Sequence, residues 1–262
     1  MLAHKIFAAV IAAWEMLIDW PLPAKLQGMV KQFNRDDSGE LIAMACPLAG
    51  VIFGAGLVVL AGICGAFFGR YAGMVLWSAA AVVLLELKDS GRGFSSVVSG
   101  VSGWIDAGRV SGGISSLGVG IRDLSGVVPS VLTLVYPLLK LAACMVIFWC
   151  QPAWIIAAVV LNFAAQGYLA ALPGAMSSDA LLPVAKQARF HLWWVAGFIL
   201  LFFIGHPAAP LVSVGFAVGG SWFFGNYCVE KFGGVDAGII TVFGAITELT
   251  VLIIGALTLL GS

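Results

Sequence analysis

Long apolar runs, broken at short intervals by small polar clusters, set the pattern of this chain, and the run lengths predict its elements. A helix that crosses a bilayer needs about 20 largely apolar residues, within a range of about 17–25. Stretches of that character lie at 41–68, 71–87, 127–149, 152–172, 191–204, 207–227 and 238–260. The first is over-long, and Pro47 inside it predicts a break that separates a short foot from the span proper. The stretch at 191–204 is short and would borrow residues from 186–190. Residues 6–18, IFAAVIAAWEMLI, are too short to cross and contain Glu15, which suits a helix lying in the interface or re-entering it. The expectation is an all-α, polytopic membrane helix bundle of about seven spans plus this N-terminal helix, forming a single integral-membrane domain over residues 1–262.

Composition supports the membrane reading. The chain is 61% hydrophobic and 10% charged, against about 25% charged in a soluble domain, and its mean hydropathy is +1.05. Thirteen bases balance thirteen acids, so no nucleic-acid partner is expected, and the bilayer itself is the expected surroundings. Glu15 and Asp19 interrupt the first apolar stretch and no A-x-A site follows, which argues against a signal peptide.

The distribution of charge sets an orientation. If segment 1–40 faces the cytosol and the sides alternate, eleven of the thirteen Lys and Arg fall in cytosolic loops. Arg70 alone falls outside, and Lys140 lies within a span. That asymmetry predicts a cytosolic N-terminus and cytosolic loops at 19–40, 88–126, 173–190 and 228–237. The outer connections, Gly69-Arg70, Cys150-Gln151 and Gly205-His206, are too short to build a site.

Smaller features read as packing. The five cysteines show no C-x-x-C and sit mostly within apolar runs. Gly50/Gly54, Gly65/Gly69 and Gly215/Gly219 repeat the four-residue spacing that lets helix backbones approach closely in lipid.

Charged groups within apolar spans are costly and mark candidate sites. Lys140 stands midway along VVPSVLTLVYPLLKLAACMVIFW, Glu248 within GIITVFGAITELTVLIIGALTLL, and Glu86 at the end of the second span. Lys140 and Glu248 would pair across the bundle, as a structural ion pair or as the wall of a site. The loop 88–126 is rich in Gly and Ser and carries Asp89, Arg92, Asp106, Arg109, Arg122 and Asp123. Gly-rich backbone and Arg forks suit phosphate, and neighbouring carboxylates suit Mg²⁺; a flexible linker with solvated charges fits the same composition. The nucleotide-binding G-x-x-x-x-G-K-[ST], the zinc-protease H-E-x-x-H and the hydrolase G-x-S-x-G are absent, and His4, His191 and His206 have no metal-ligand spacing.

Several of these segments, in order, resemble the cobalamin synthases, the adenosylcobinamide-GDP ribazoletransferases. WEMLIDWPLPAKL is similar to the family's Thr-Arg-x-Pro-x-Pro through Pro21 and Pro23, with Ile18-Asp19 where Thr-Arg is usual. ACPLAGVIFGAG is similar to Phe-Pro-Leu-x-Gly-x-x-x-Gly through Pro47, Gly50 and Gly54. GIRDLSGVVPSVLTLVYPLLK places Arg122, Asp123, Gly126 and Lys140 on family positions. KFGGVDAGIITVFGAITEL matches the family's closing stretch at Gly233, Gly234 and Glu248, with Asp236 one residue before the usual Gly-Asp. The family's His-Leu-Asp-Gly-Leu-Ala-Asp-x-x-Asp-Gly motif corresponds here to ELKDSGRGFSS, where Asp89 is its one matching acid and Glu86 stands near, and Ala165-Gln166 replaces a Ser-Arg.

The resemblance implies a multi-pass enzyme of the bacterial inner membrane acting in the last steps of cobalamin biosynthesis. It would join adenosylcobinamide-GDP to α-ribazole or its 5′-phosphate and release GMP, with those corrinoid and ribazole substrates as partners. Mg²⁺ is the implied cofactor, with Glu86, Asp89 and Asp123 as ligands and Asp236 and Glu248 behind them. Arg92, Arg122 and Lys140 would face phosphate oxygens, and Asp89, Asp123 and Lys140 would be the catalytic set. Three other readings stay open: a non-catalytic relative that binds a corrinoid or scaffolds partner enzymes, a small transporter using Lys140 and Glu248 as coupling charges, and a different membrane transferase of phosphorylated alcohols with the same metal logic. Assembly into homo-oligomers is open as well.

Overall fold

The computed structural model describes residues 2–18, 23–24, 26, 35–87, 135–170, 172, 208–232, 234–235 and 237–261. Among these residues all regular structure is helical. The elements are α1 (Leu2–Leu17), α2 (Arg35–Leu87), α3 (Val135–Cys150), α4 (Trp154–Ala170), α5 (Ala208–Phe232) and α6 (Ala237–Leu260).

Helix α2 is one run of hydrogen bonding but two legs in space. Gly69 has φ 75° and ψ 174°, outside helical geometry and readily reached without a Cβ. The legs fold back on each other there. Trp77 Nε1 donates to the carbonyl of Leu57 at 2.7 Å, and a Cβ on Gly73 would lie 2.6 Å from the carbonyl oxygen of Cys64. The turn expected at Gly69-Arg70 is therefore present. The break expected at Pro47 is absent, since Gly69 is the one residue of α2 that leaves helical φ/ψ. A proline removes one donor from a helix, and here the run continues through it, with the Cys46 thiol donating to Ile42 O at 3.3 Å in the preceding turn.

Helix α4 is the hub: fifteen of its seventeen residues are buried. Gly50 and Gly54 of the first α2 leg press on it, and a Cβ on Gly54 would stand 2.7 Å from Ile156 Cα. Those two glycines serve the close backbone approach that their spacing predicted, whereas among the described residues Gly69, Gly215 and Gly219 meet nothing within 4 Å and Gly65 meets only Phe148. On another side of α4, Gly255 of α6 admits the Trp154 ring, and Gly225 of α5 admits Leu169 and Leu172. Phe224 and Phe243 stack at 5.2 Å between α5 and α6.

These contacts set the directions. The second α2 leg runs antiparallel to α3, with Arg70 near Trp149 at one end and Glu86 near Lys140 at the other. Helix α4 is antiparallel to the first α2 leg and to α6. Arg70 Cζ lies 3.7 Å from the centroid of the Trp149 ring, and Tyr71 meets the same ring at 5.1 Å. Aromatic and basic residues grouped at helix ends are typical of a membrane–water boundary.

Helix α1 packs on α2, with Ala9, Ala13 and Ile18 buried and the Trp14 and Phe53 rings 6.3 Å apart. Lys5, Ile6, Phe7 and Glu15 remain exposed.

Among the described residues three helical stretches are long and apolar enough to cross a membrane: Met44–Glu86, Ala208–Glu230 and Ile240–Leu260. They support a membrane protein, and they do not amount to the expected seven spans. The 43-residue stretch Met44–Glu86 contains the Gly69 turn. Val135–Cys150 and Trp154–Ala170 are shorter apolar helices, and the latter's seventeen residues rise about 25 Å against a hydrocarbon core of about 30 Å. The expected span at 191–204 lies outside the described residues. Large apolar side chains such as Phe67, Tyr71, Trp222 and Phe223 project outward, as lipid-facing residues do.

Candidate functional site

Four helices bring polar side chains to one point near the Leu87 end of α2. Helix α3 contributes Lys140 and, one turn earlier, Tyr136; α2 contributes Glu86; α6 contributes Glu248; α4 contributes Asn162 and Gln166. Each is a break in an otherwise apolar helix, and their meeting lets each group find partners that lipid would not supply.

Lys140 is the centre. Its Nζ lies 2.6 Å from Oε1 of Glu86 and 2.6 Å from Oε1 of Glu248. It also donates to the Tyr136 hydroxyl at 3.3 Å and stands 5.1 Å from the centroid of that ring. An ammonium has three donors, and all three have partners here.

The glutamates differ in environment. Glu248 is fully buried, with Oε1 on Lys140 and Oε2 accepting from Asn162 Nδ2 at 2.8 Å. Glu86 retains 21% side-chain exposure and is the member of the set nearest water. Its Oε2 is buried and finds no hydrogen-bond partner among the described residues. With both carboxylates ionised the set carries two negative charges and one positive.

The network extends through α4. Gln166 Nε2 donates to Asn162 Oδ1 at 2.7 Å, one helical turn away. Gly244, one turn before Glu248, leaves the space these carboxamides occupy: a Cβ there would collide with Asn162 Oδ1 and Gln166 Nε2.

Of the residues singled out from sequence, the structure thus brings together Glu86, Lys140 and Glu248. Asp89, Arg92, Asp106, Arg122, Asp123 and Asp236 lie outside the described residues. Among the described residues no group of three or more His, Cys, Asp or Glu forms a metal cluster. Toward the implied Mg²⁺, the orphaned Oε2 of Glu86 is the oxygen that fits, whereas both oxygens of Glu248 are engaged by Lys140 and Asn162. All five cysteines are free thiols; Cys150 is exposed and the others are buried.

Asn162 escaped the sequence reading, and Gln166 was noted there as a substituted position. The signal was present: two carboxamides four residues apart in an apolar helix lie on one face.

Among the described residues the fold and the site define a helical protein with membrane-spanning character and a largely buried Glu–Lys–Glu set linked to a carboxamide pair. Beyond that class the comparisons add no relative: no protein-family model, no curated protein and no solved structure matches the chain.

Proposed function

We propose that the chain is a membrane-embedded transferase of the cobalamin-synthase kind, joining adenosylcobinamide-GDP to α-ribazole or its 5′-phosphate with release of GMP. The observation that carries this reading is the convergence of Glu86, Lys140 and Glu248 from three distant segments. Lys140 and Glu248 occupy positions of the family resemblance, and Glu86 stands where that family keeps its acid-rich motif. A buried ammonium draws carboxylates to it in any membrane bundle; what favours this site is that the three residues that meet are ones the resemblance singles out.

The setting proposed is the inner membrane of a bacterium, with seven crossings, a cytosolic N-terminus and the site opening to the cytosol. The antiparallel sequence of α2 legs, α3 and α4 suits that topology. So does the place of Arg70, stacked on Trp149 at the end opposite Glu86.

In this reaction a ribazole hydroxyl attacks the phosphorus that bears the cobinamide, and the bond to the GMP oxygen breaks. Phosphoryl-type transfer depends on charge neutralisation and in-line positioning. Mg²⁺, when bound, supplies Lewis-acid neutralisation of the phosphate charge. Glu86 with Asp89 and Asp123 would hold it. Arg92 and Arg122 would bind phosphate oxygens, and Lys140 would set the position of Glu86 and offer its charge when Glu86 turns to the metal. Purified protein in detergent should release GMP in a Mg²⁺-dependent manner when both substrates are present. Absence of turnover, with a cobalamin synthase active in the same assay, would sink the reading.

A second reading is favoured by one observation: Lys140 and Glu248 are 1% and 0% exposed and saturate each other's charge. A closed ion pair suits a non-catalytic relative that binds the corrinoid nucleotide or scaffolds partner enzymes. Binding of adenosylcobinamide-GDP without GMP release would select it.

A further inference from the structure

We infer that Asn162 is the positioning residue of this site, acting on Glu248 and held in turn by Gln166 and by the bare backbone at Gly244. Its effect on turnover rests on the proposed transferase reading; its effect on Glu248 does not.

The orientation of both carboxamides follows from hydrogen-bond chemistry. A carboxylate accepts and does not donate, so Asn162 must present its NH₂ to Glu248 Oε2. That leaves Asn162 Oδ1 facing Gln166, which must present its own NH₂. The chain Gln166 to Asn162 to Glu248 therefore has one polarity, and every link in it points its donors at Glu248. Asn162 and Gln166 are 0% and 3% exposed, so water does not compete for these bonds.

The consequence is positional. With Oε2 anchored by Asn162, the Glu248 head group presents Oε1 to Lys140, and Lys140 in turn reaches Glu86. Without the anchor, Glu248 is free to turn both oxygens to Lys140 and draw the ammonium away from Glu86. Gly244 makes the arrangement sterically feasible, because any side chain there would displace both carboxamides.

The test uses full-length protein in detergent and isotope-edited infrared spectroscopy, with the Glu248 carboxylate band identified by its loss in Glu248→Gln. Asn162→Leu removes the donor at similar volume. Gln166→Leu is the milder variant, which removes only the outer link and keeps the measurement available if Asn162→Leu fails to fold. Both variants are expected to shift the Glu248 carboxylate band. In the GMP-release assay, kcat is expected to fall about 10- to 100-fold for Asn162→Leu, the range for a hydrogen bond to a charged group, with KM unchanged. In a Glu248→Gln background the same substitution should have no further effect on kcat, because Asn162 acts through Glu248.

A Glu248 band unmoved by the variants that fold overturns the inference whatever the activity. A shifted band with unchanged kcat overturns the positioning role. If wild-type protein shows no turnover, the transferase reading fails, and the infrared shift alone decides whether Asn162 orients Glu248.

Discussion

Lys140 and Glu248 stand 2.6 Å apart, 1% and 0% exposed, at the junction of α3 and α6. The same ammonium lies 2.6 Å from Glu86 on α2. One buried cation thus ties together three helices that share no sequence neighbourhood. Separating such charges without water is expensive, so the site is also a fastening of the bundle.

Lys140→Met should therefore leave two glutamates without their common partner. Breaking a buried pair in this way costs about 3–5 kcal/mol, and chemical denaturation in detergent would measure it. The double variant Lys140→Met/Glu248→Leu should recover part of that loss, since Glu86 is partly exposed and tolerates its charge while the Asn162 donor is left unpaired. A single variant as stable as wild type would show that the cluster does not fasten the helices.

Glycines on α2 should divide by what faces them. A Cβ on Gly73 would lie 2.6 Å from the Cys64 carbonyl oxygen and 2.8 Å from its carbon, and backbone cannot step aside as a side chain can. Gly73→Ala should lower stability by about 1–3 kcal/mol through overpacking. Gly62 meets nothing within 4 Å, so Gly62→Ala should be neutral or gain up to about 1 kcal/mol of helix propensity. Thermal unfolding in detergent separates the two, and equal midpoints would contradict the hairpin geometry.

The Trp77 indole closes the same hairpin lower down, donating to Leu57 O at 2.7 Å with the ring fully buried. Trp77→Phe keeps most of the apolar surface and removes the donor, so a loss of about 0.5–1.5 kcal/mol is expected. A loss of that size with an unaltered helical circular-dichroism spectrum would assign it to this bond. A larger loss would mean that packing against Phe148, whose ring is 5.4 Å away, dominates.

Run length and charge alone made much of this legible. The turn at Gly69-Arg70, the helical class and the Lys140–Glu248 pair all follow from where polarity interrupts apolar runs. Pro47 misled, because a proline removes one donor from a helix without forcing its backbone out of helical φ/ψ, and the run continues through it. Glu86 was weighed as a metal ligand, and its contact with Lys140 could not be read, since helix-end residues give no sign of which neighbour they will face. Asn162 was legible only as half of an i, i+4 carboxamide pair with Gln166; without a charge, neither carboxamide tells which neighbour it will face.

Orientation offers the most direct check on the proposed topology. Cys150 is exposed at the α3–α4 turn, beside the end of the bundle marked by Arg70 and Trp149, whereas Cys46, Cys64, Cys144 and Cys228 are buried. A cytosolic N-terminus places that turn outside the cell. A membrane-impermeant maleimide should therefore label intact cells or right-side-out vesicles at this single position. Cys150→Ser should abolish the signal, and the four buried thiols should react only after denaturation. Labelling confined to inverted vesicles would reverse the orientation and put the Glu86 end of the bundle on the outer face. Because adenosylcobinamide-GDP is expected in the cytosol under the proposed reading, that result would also count against a site fed by cytosolic nucleotide.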